Sequence, residues 1–303
     1  MSRSSSSRAN RRGELPPDPE PLPAPALDSH THLDIVVGER PAHGAGDEGW
    51  PDEAEVDAEV AAAAAVGVPR LVQVGVDVPS SRWSADLAAR HSSVLAAVAL
   101  HPNEAGAGAA TDDTLAEIDR LAALPRVRAV GETGLDRYRT GEEGWAAQEA
   151  SFRAHVEIAK RHGIALVIHD RDAHDEVLRV LDDEGAPEHT VLHCFSGDAA
   201  FARACLERGF VLSFAGTLTF GNAGHLREAA ALAPLDQVLV ETDSPFLTPV
   251  PVRGRPNSSR LVPHTVRALA EVTRTDLAEL CAALTATAER VFGSWEHPPA
   301  GAR

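Results

Sequence analysis

The chain is short of the residues that mark secreted, membrane-bound or nucleotide-fold proteins. It has three cysteines in 303 residues, Cys194, Cys205 and Cys281, odd in number and far apart. That excludes a disulfide framework and points to a reducing, cytoplasmic setting. No apolar run approaches the ~18 residues of a membrane span, so no membrane association is expected. The opening residues, MSRSSSSRANRRG and then PPDPEPLPAPA, carry no apolar stretch of the kind a secretory signal needs. Neither GxGxxG nor GxxxxGKS/T follows a strand-like run, which removes the usual nucleotide-binding signatures. Positive charge is in deficit, and the formal net charge is −17. Such a surface argues against long, non-specific contact with a nucleic-acid backbone, which leans on Lys and Arg. It does not exclude a small phosphate-bearing substrate held through metal ions, because clustered carboxylates are what hard cations bind.

Hydrophobic residues make up 44% of the sequence, enough for one large domain or two ordinary ones. Residues 1–26, rich in Pro, Ser and Arg, are expected to form a disordered tail, residues 27–293 the domain, and residues 294–303 a C-terminal tail. From residue 26 a rhythm sets in. Eight apolar or β-branched runs (26–34, 69–77, 94–102, 127–136, 164–172, 189–197, 209–217 and 238–246) alternate with Ala/Leu/Glu/Arg-rich segments. The segments at 52–67 and 144–163 each end on glycine, the usual residue just past a helix. Continuous apolar strands separated by helices imply a parallel sheet covered on both faces. Eight such units imply an α/β fold of the closed (β/α)8 TIM-barrel type, with an open doubly wound sheet as the alternative. The closing helix falls within 255–275 or 276–293.

In such a barrel the chemistry sits at the C-terminal ends of the strands. Here those ends carry His30 and His32, His101, Glu132, His169, His193 and Asp243. Residues two apart on a strand share a face, so His30 and His32 are expected to face the barrel mouth together. One histidine at a strand end is unremarkable. Ionisable residues at six of eight ends need compensation, because burying them unpaired is costly, and a metal centre supplies it. Glu132, flanked by Gly131 and Gly134 in VGETGLD, can bridge two ions through its two oxygens. A carbamylated lysine could not take that place, since Lys160, in the helix before strand five, is the only lysine. Asp77 and Asp136 are expected to cap loops, and Cys194 to point away from the mouth into the core.

Six stretches in order, DSHTHLD (28–34), LHPNEA (100–105), GETGLD (131–136), IHDRDA (168–173), LHCFSG (192–197) and ETDSPFLTP (241–249), resemble the TatD-type metal-dependent hydrolases and deoxyribonucleases of the amidohydrolase-like barrels. PVRGRPNSS (251–259) stands where that family carries an RGxxN segment. The resemblance implies that His30 and His32 bind a first divalent ion with Asp243, that Glu132 bridges, and that His169 and His193 complete a second site. It implies that Asp243 and Glu132 are catalytic, Asp243 by orienting or deprotonating the attacking water. His101, Arg171 and Arg253 are the expected substrate contacts. The implied activity is two-metal hydrolysis of phosphodiester bonds, with DNA as substrate. The alternative is a small cyclic amide, lactone or phosphoester. Magnesium, manganese and zinc are the candidate ions. The imidazole-rich set favours softer metals, while the resemblance favours magnesium. Asn103, His155 and Ser258 depart from the family pattern, where His, Gln and an acid are expected.

Overall fold

The computed structural model describes residues 14–38 and 49–296. Eight strands pair in chain order, all parallel: β1 (Leu27–Thr31), β2 (Arg70–Val74), β3 (Val94–Val98), β4 (Val127–Asp136), β5 (Ala165–Arg171), β6 (Thr190–Leu192), β7 (Val211–Phe214) and β8 (Val238–Val240). The chain just past β8 returns to β1 and closes the ring. Asp243 N–H donates to His30 O and His32 N–H to Ser244 O, each at 3.0 Å. The fold is therefore the (β/α)8 barrel that the alternation implies. β1 and β3 are buried at every position; β3 reads as an unbroken apolar run, while β1 buries Asp28, Ser29, His30 and Thr31.

The helices are α1 (Leu33–Val36), α2 (Glu53–Ala65), α3 (Val78–Arg90), α4 (Pro102–Gly106), α5 (Asp112–Ala122), α6 (Glu142–His162), α7 (His174–Glu184), α8 (Ala199–Glu207), α9 (Gly224–Leu232), α10 (Val262–Thr273) and α11 (Leu277–Phe292). Their ends follow local chemistry. Asp52 accepts from Glu55 N–H at 2.8 Å while the Glu55 carboxylate accepts from Asp52 N–H, a reciprocal cap on α2. Asp77 caps α3 through Ser80 N–H at 2.7 Å. α6 stops at Gly163, which adopts φ 60°, a left-handed conformation that costs glycine little. Both candidate closing segments are helical, as α10 and α11. No helix among the described residues is long and apolar enough to cross a membrane.

Two expectations about the ends change. From Glu14 on, the expected tail lies along the barrel. Leu22 is buried and its N–H donates to Val66 O at 3.1 Å, Ala26 N–H donates to Gly67 O at 2.9 Å, and Asp18 pairs with Arg260 at 2.9 Å. Proline-rich chain of this kind has few free N–H groups to satisfy and can lie flat on a ready-made surface, which composition alone does not reveal. At the other end Trp295 is buried, and its carbonyl accepts from Arg126, which also donates to Ala88 O, Ser92 O and Val94 O. Residues 294–296 thus belong to the barrel floor. Residues 1–13 and 297–303 lie outside the described residues.

Candidate metal centre

At the C-terminal mouth of the barrel lies a cavity of about 650 Å³ lined by His32, His101, Glu132, His169, His193 and Asp243, among others. Glu132 is at its centre and only 5% exposed. β4 can press against β5 just before it because residue 131 is glycine. A Cβ there would lie 2.5 Å from Val167 Cβ and 2.6 Å from Val167 O.

The two carboxylate oxygens of Glu132 address different groups. Oε2 faces the first-strand pair, 3.4 Å from His30 Nε2 and 3.9 Å from His32 Nε2. Asp243 Oδ1 completes that group at 3.9 Å from His30 Nε2 and 3.6 Å from His32 Nε2. Oε1 faces the other side, 2.6 Å from His169 Nδ1, 2.9 Å from His193 Nε2 and 3.2 Å from His101 Nε2. His32 itself lies one residue past β1, in the turn into α1, and still turns its Nε2 to within 3.3 Å of His30 Nε2.

The hydrogen bonds behind the rings assign their tautomers. A carbonyl oxygen can only accept, so His32 Nδ1 donates to Val74 O at 3.1 Å, and in the neutral ring the lone pair is on Nε2. His193 Nδ1 donates to Glu241 Oε1 at 3.1 Å, which turns Nε2, the lone-pair nitrogen of the neutral ring, toward Glu132. His169 is turned over: Nε2 donates to Asp136 Oδ2 at 3.2 Å and Nδ1 points inward. His30 has no such acceptor, and its ring stacks on His193 with centroids 4.0 Å apart. With the inward nitrogens unprotonated, lone pairs would meet carboxylate oxygens at 2.6–3.9 Å, an arrangement that repels unless a proton or a cation sits between. The donor set fits divalent cations, with acceptors behind three imidazoles in the manner of metal-binding histidines.

His101 differs in kind. Its Nδ1 accepts from Asn103 N–H at 3.1 Å, so the neutral ring carries its proton on Nε2. That nitrogen is a donor to Glu132 or to substrate, and it offers no lone pair to an ion.

Electrostatics carry the same demand for positive charge. Burial pushes Glu132 upward, but the imidazoles of His193 and His101 overcome it and hold the carboxyl well below its ordinary value. Burial pushes His32 downward, yet the hydrogen bond and charge of Asp243, helped by Glu132, lift it to about 9. His193 is raised well above its ordinary value: burial opposes this, and Glu132 and Glu241 outweigh it. His30 falls, through burial first and the neighbouring His193 second.

Not every expected residue gathers here. Arg171 lines the cavity, with its guanidinium 4.2 Å from the centre of the Tyr138 ring. Arg253 does not line it; it is exposed, 4.0 Å over Phe220. Cys194 does line it, against expectation. β6 ends at Leu192, so strand alternation no longer applies, and Cys194 sits at φ 43°. Asp136 caps the turn by accepting from Tyr138 and Arg139 N–H, and with its other oxygen it also holds His169. Glu241 went unread in the sequence. Its signal was an acid directly after the wholly apolar run of β8, where a buried carboxylate needs a partner. His155, one of the departures from the family pattern, is internal: Nδ1 donates to Ser151 O at 2.7 Å and Nε2 accepts from Leu100 N–H at 3.0 Å.

Residues 27–293 match the model of the TatD-related DNases. The chain belongs to that family. The chain is 46% identical to an uncharacterized metal-dependent hydrolase TatD of Mycobacterium tuberculosis, over 88% of this chain and 97% of the relative. It is 36% identical to a protein of Citrobacter rodentium named 3'-5' ssDNA/RNA exonuclease TatD, over 78% and 91%. Among solved structures, the TatD homolog YjjV of Escherichia coli superposes with a TM-score of 0.78 at 25% identity, covering 89% of this chain and 98% of that one. The TatD motifs quoted from the sequence are thus the same stretches that line this cavity.

Proposed function

We propose that this TatD-family chain is a two-metal hydrolase of phosphodiester bonds acting on the ends of nucleic-acid strands, DNA foremost. The observation that carries this reading is the split of Glu132, one oxygen toward His30, His32 and Asp243 and the other toward His169 and His193. His30, His32, Asp243 and Oε2 would hold one divalent ion, magnesium, manganese or zinc, and His169, His193 and Oε1 a second. Two bound cations supply the charge that polarises a phosphoryl oxygen and lowers the pKa of water towards ~7.

The residues then have distinct tasks. Asp243 reaches the cavity and takes a proton from the attacking water, whose oxygen bonds to phosphorus. The bond to the departing sugar oxygen breaks, and that oxygen receives the proton from Asp243. His101, held as an Nε2 donor, and Arg171, at the mouth, hydrogen-bond the non-bridging phosphate oxygens. The buried floor keeps bulk water from the reacting atoms. The three free thiols fit a reducing, cytoplasmic location.

The test is a panel of labelled single-stranded DNA, duplex DNA, RNA and small esters with magnesium or manganese. Glu132→Gln and Asp243→Asn are expected to abolish hydrolysis with the fold intact. Unchanged turnover in Glu132→Gln ends the reading. The net charge of −17 favours a second reading, a small ester or cyclic amide as substrate. Salt separates the two: activity on nucleic acid falls steeply as salt rises, and activity on a small neutral substrate does not.

A further inference from the structure

The described residues expose five large apolar side chains, and two of these are aromatic: Tyr138, 67% exposed, and Phe246, 40% exposed. Phe246 is in the lining of the cavity, and Tyr138, outside that lining, meets it through Arg171. Phe246 lines it from the loop after β8, with its ring edge-on to His32 at 6.3 Å. Tyr138 follows β4, and its ring carries Arg171, which lines the cavity from β5. A lone exposed aromatic is ordinary on a protein surface. Two beside one cavity, in a chain with 4% aromatics, call for a reason.

The backbone of each is fixed. Phe246 N–H donates to Asp243 O at 2.8 Å, and its carbonyl accepts from Asn257 Nδ2, which also donates to Thr242 O. Tyr138 N–H donates to Asp136 Oδ1 at 2.9 Å, on the same carboxylate that orients His169. The backbone of each aromatic residue is thus tied by one hydrogen bond, Phe246 to the Asp243 carbonyl and Tyr138 to the carboxylate behind His169. Exposed aromatic faces on a fixed backbone are stacking platforms for unpaired bases, and an arginine stacked on an aromatic ring is steered toward phosphate.

We propose that Phe246 and the Tyr138–Arg171 stack form a grip for the terminal nucleotide of a single strand, Phe246 against the base and Arg171 against the phosphate. The grip rests on the phosphodiesterase reading above and gives it a substrate preference. A base inside a duplex has both faces covered and its edge paired, so it must be unstacked before it can lie on Phe246. An unpaired end offers its face freely. Tyr138 touches no substrate in this scheme; it is a positioning residue that acts through Arg171.

The test uses the full chain with its metal and short single-stranded oligonucleotides whose terminal residues either carry bases or are abasic. The wild type is expected to favour base-bearing ends by about tenfold or more in kcat/KM, the scale of one base–aromatic stack. Phe246→Ala should bring that ratio close to one, and Phe246→Trp should restore it. Tyr138→Ala should raise KM on both substrates with little change in kcat, and Tyr138→Phe, which keeps the ring, should not. A wild type with no preference, or a preference undiminished in Phe246→Ala, overturns the grip while leaving the phosphodiesterase reading standing. A wild type that hydrolyses small esters but no oligonucleotide overturns both.

Discussion

His155 offers a sharp test of how the loop bearing His101 is held. Its ring is fully buried, takes Leu100 N–H on Nε2 and gives its own proton to Ser151 O, so the neutral form fits and the charged form does not. Burial pushes its pKa down to about 4, against a hydrogen bond to Ser151 that works the other way. A group whose folded value lies below its unfolded value of about 6.5 favours folding while neutral. Its contribution is complete above that pH and is lost as pH falls toward 4. Linkage gives a loss of about 2 kcal/mol on going from pH 7.5 to pH 5 for a shift of this size. Glutamine can make the same pair of hydrogen bonds without titrating. His155→Gln should therefore keep most of the stability at pH 7.5 and lose about 2 kcal/mol less than the wild type by pH 5. His155→Leu strands Leu100 N–H and should cost about 1–3 kcal/mol at either pH relative to glutamine. Urea unfolding at the two pH values measures all three. Equal acid sensitivity in the wild type and in His155→Gln would refute the reasoning.

Three further outcomes follow from the same geometry. Glu241→Gln removes the charge behind His193 and should weaken metal binding about tenfold or more, read by competition with a chromophoric chelator; unchanged affinity would mean that Glu241 does not orient the ligand. Chelating the metal should lower the melting temperature by roughly 5 °C if the free ion had stood near a hundred times its Kd, and re-addition should restore it. Arg253→Ala should leave kcat/KM on single-stranded DNA within about twofold of the wild type, as expected for an exposed side chain away from the cavity; a tenfold loss would return Arg253 to the substrate contacts.

The barrel was legible because its signals are local and redundant. β4 runs over 127–136 as its apolar run implies, and Gly163 stops α6 where a left-handed residue is needed. The candidate cluster was legible because six strand ends carry His, Glu or Asp side chains, which together could hold a metal ion. What escaped lies where a local rule stops applying. Cys194 reaches the cavity because β6 is three residues long and the chain then turns through positive φ. Glu241 acts through His193, 48 residues away in sequence, and nothing near it announces that partner. Arg253 sits in a recognised segment yet points to Phe220, since a loop's motif does not fix where each of its side chains goes. The 14–26 segment looks unfoldable by composition and is ordered by a surface it does not itself provide.

The most direct test of the central claim is the anomalous scattering of a manganese-loaded crystal. Two peaks are expected astride Glu132, about 3.5–4 Å apart, one among His30, His32 and Asp243 and the other between His169 Nδ1 and His193 Nε2, with His101 Nε2 bound to neither. A cavity without peaks, or a single ion that leaves one Glu132 oxygen uncoordinated, would contradict it.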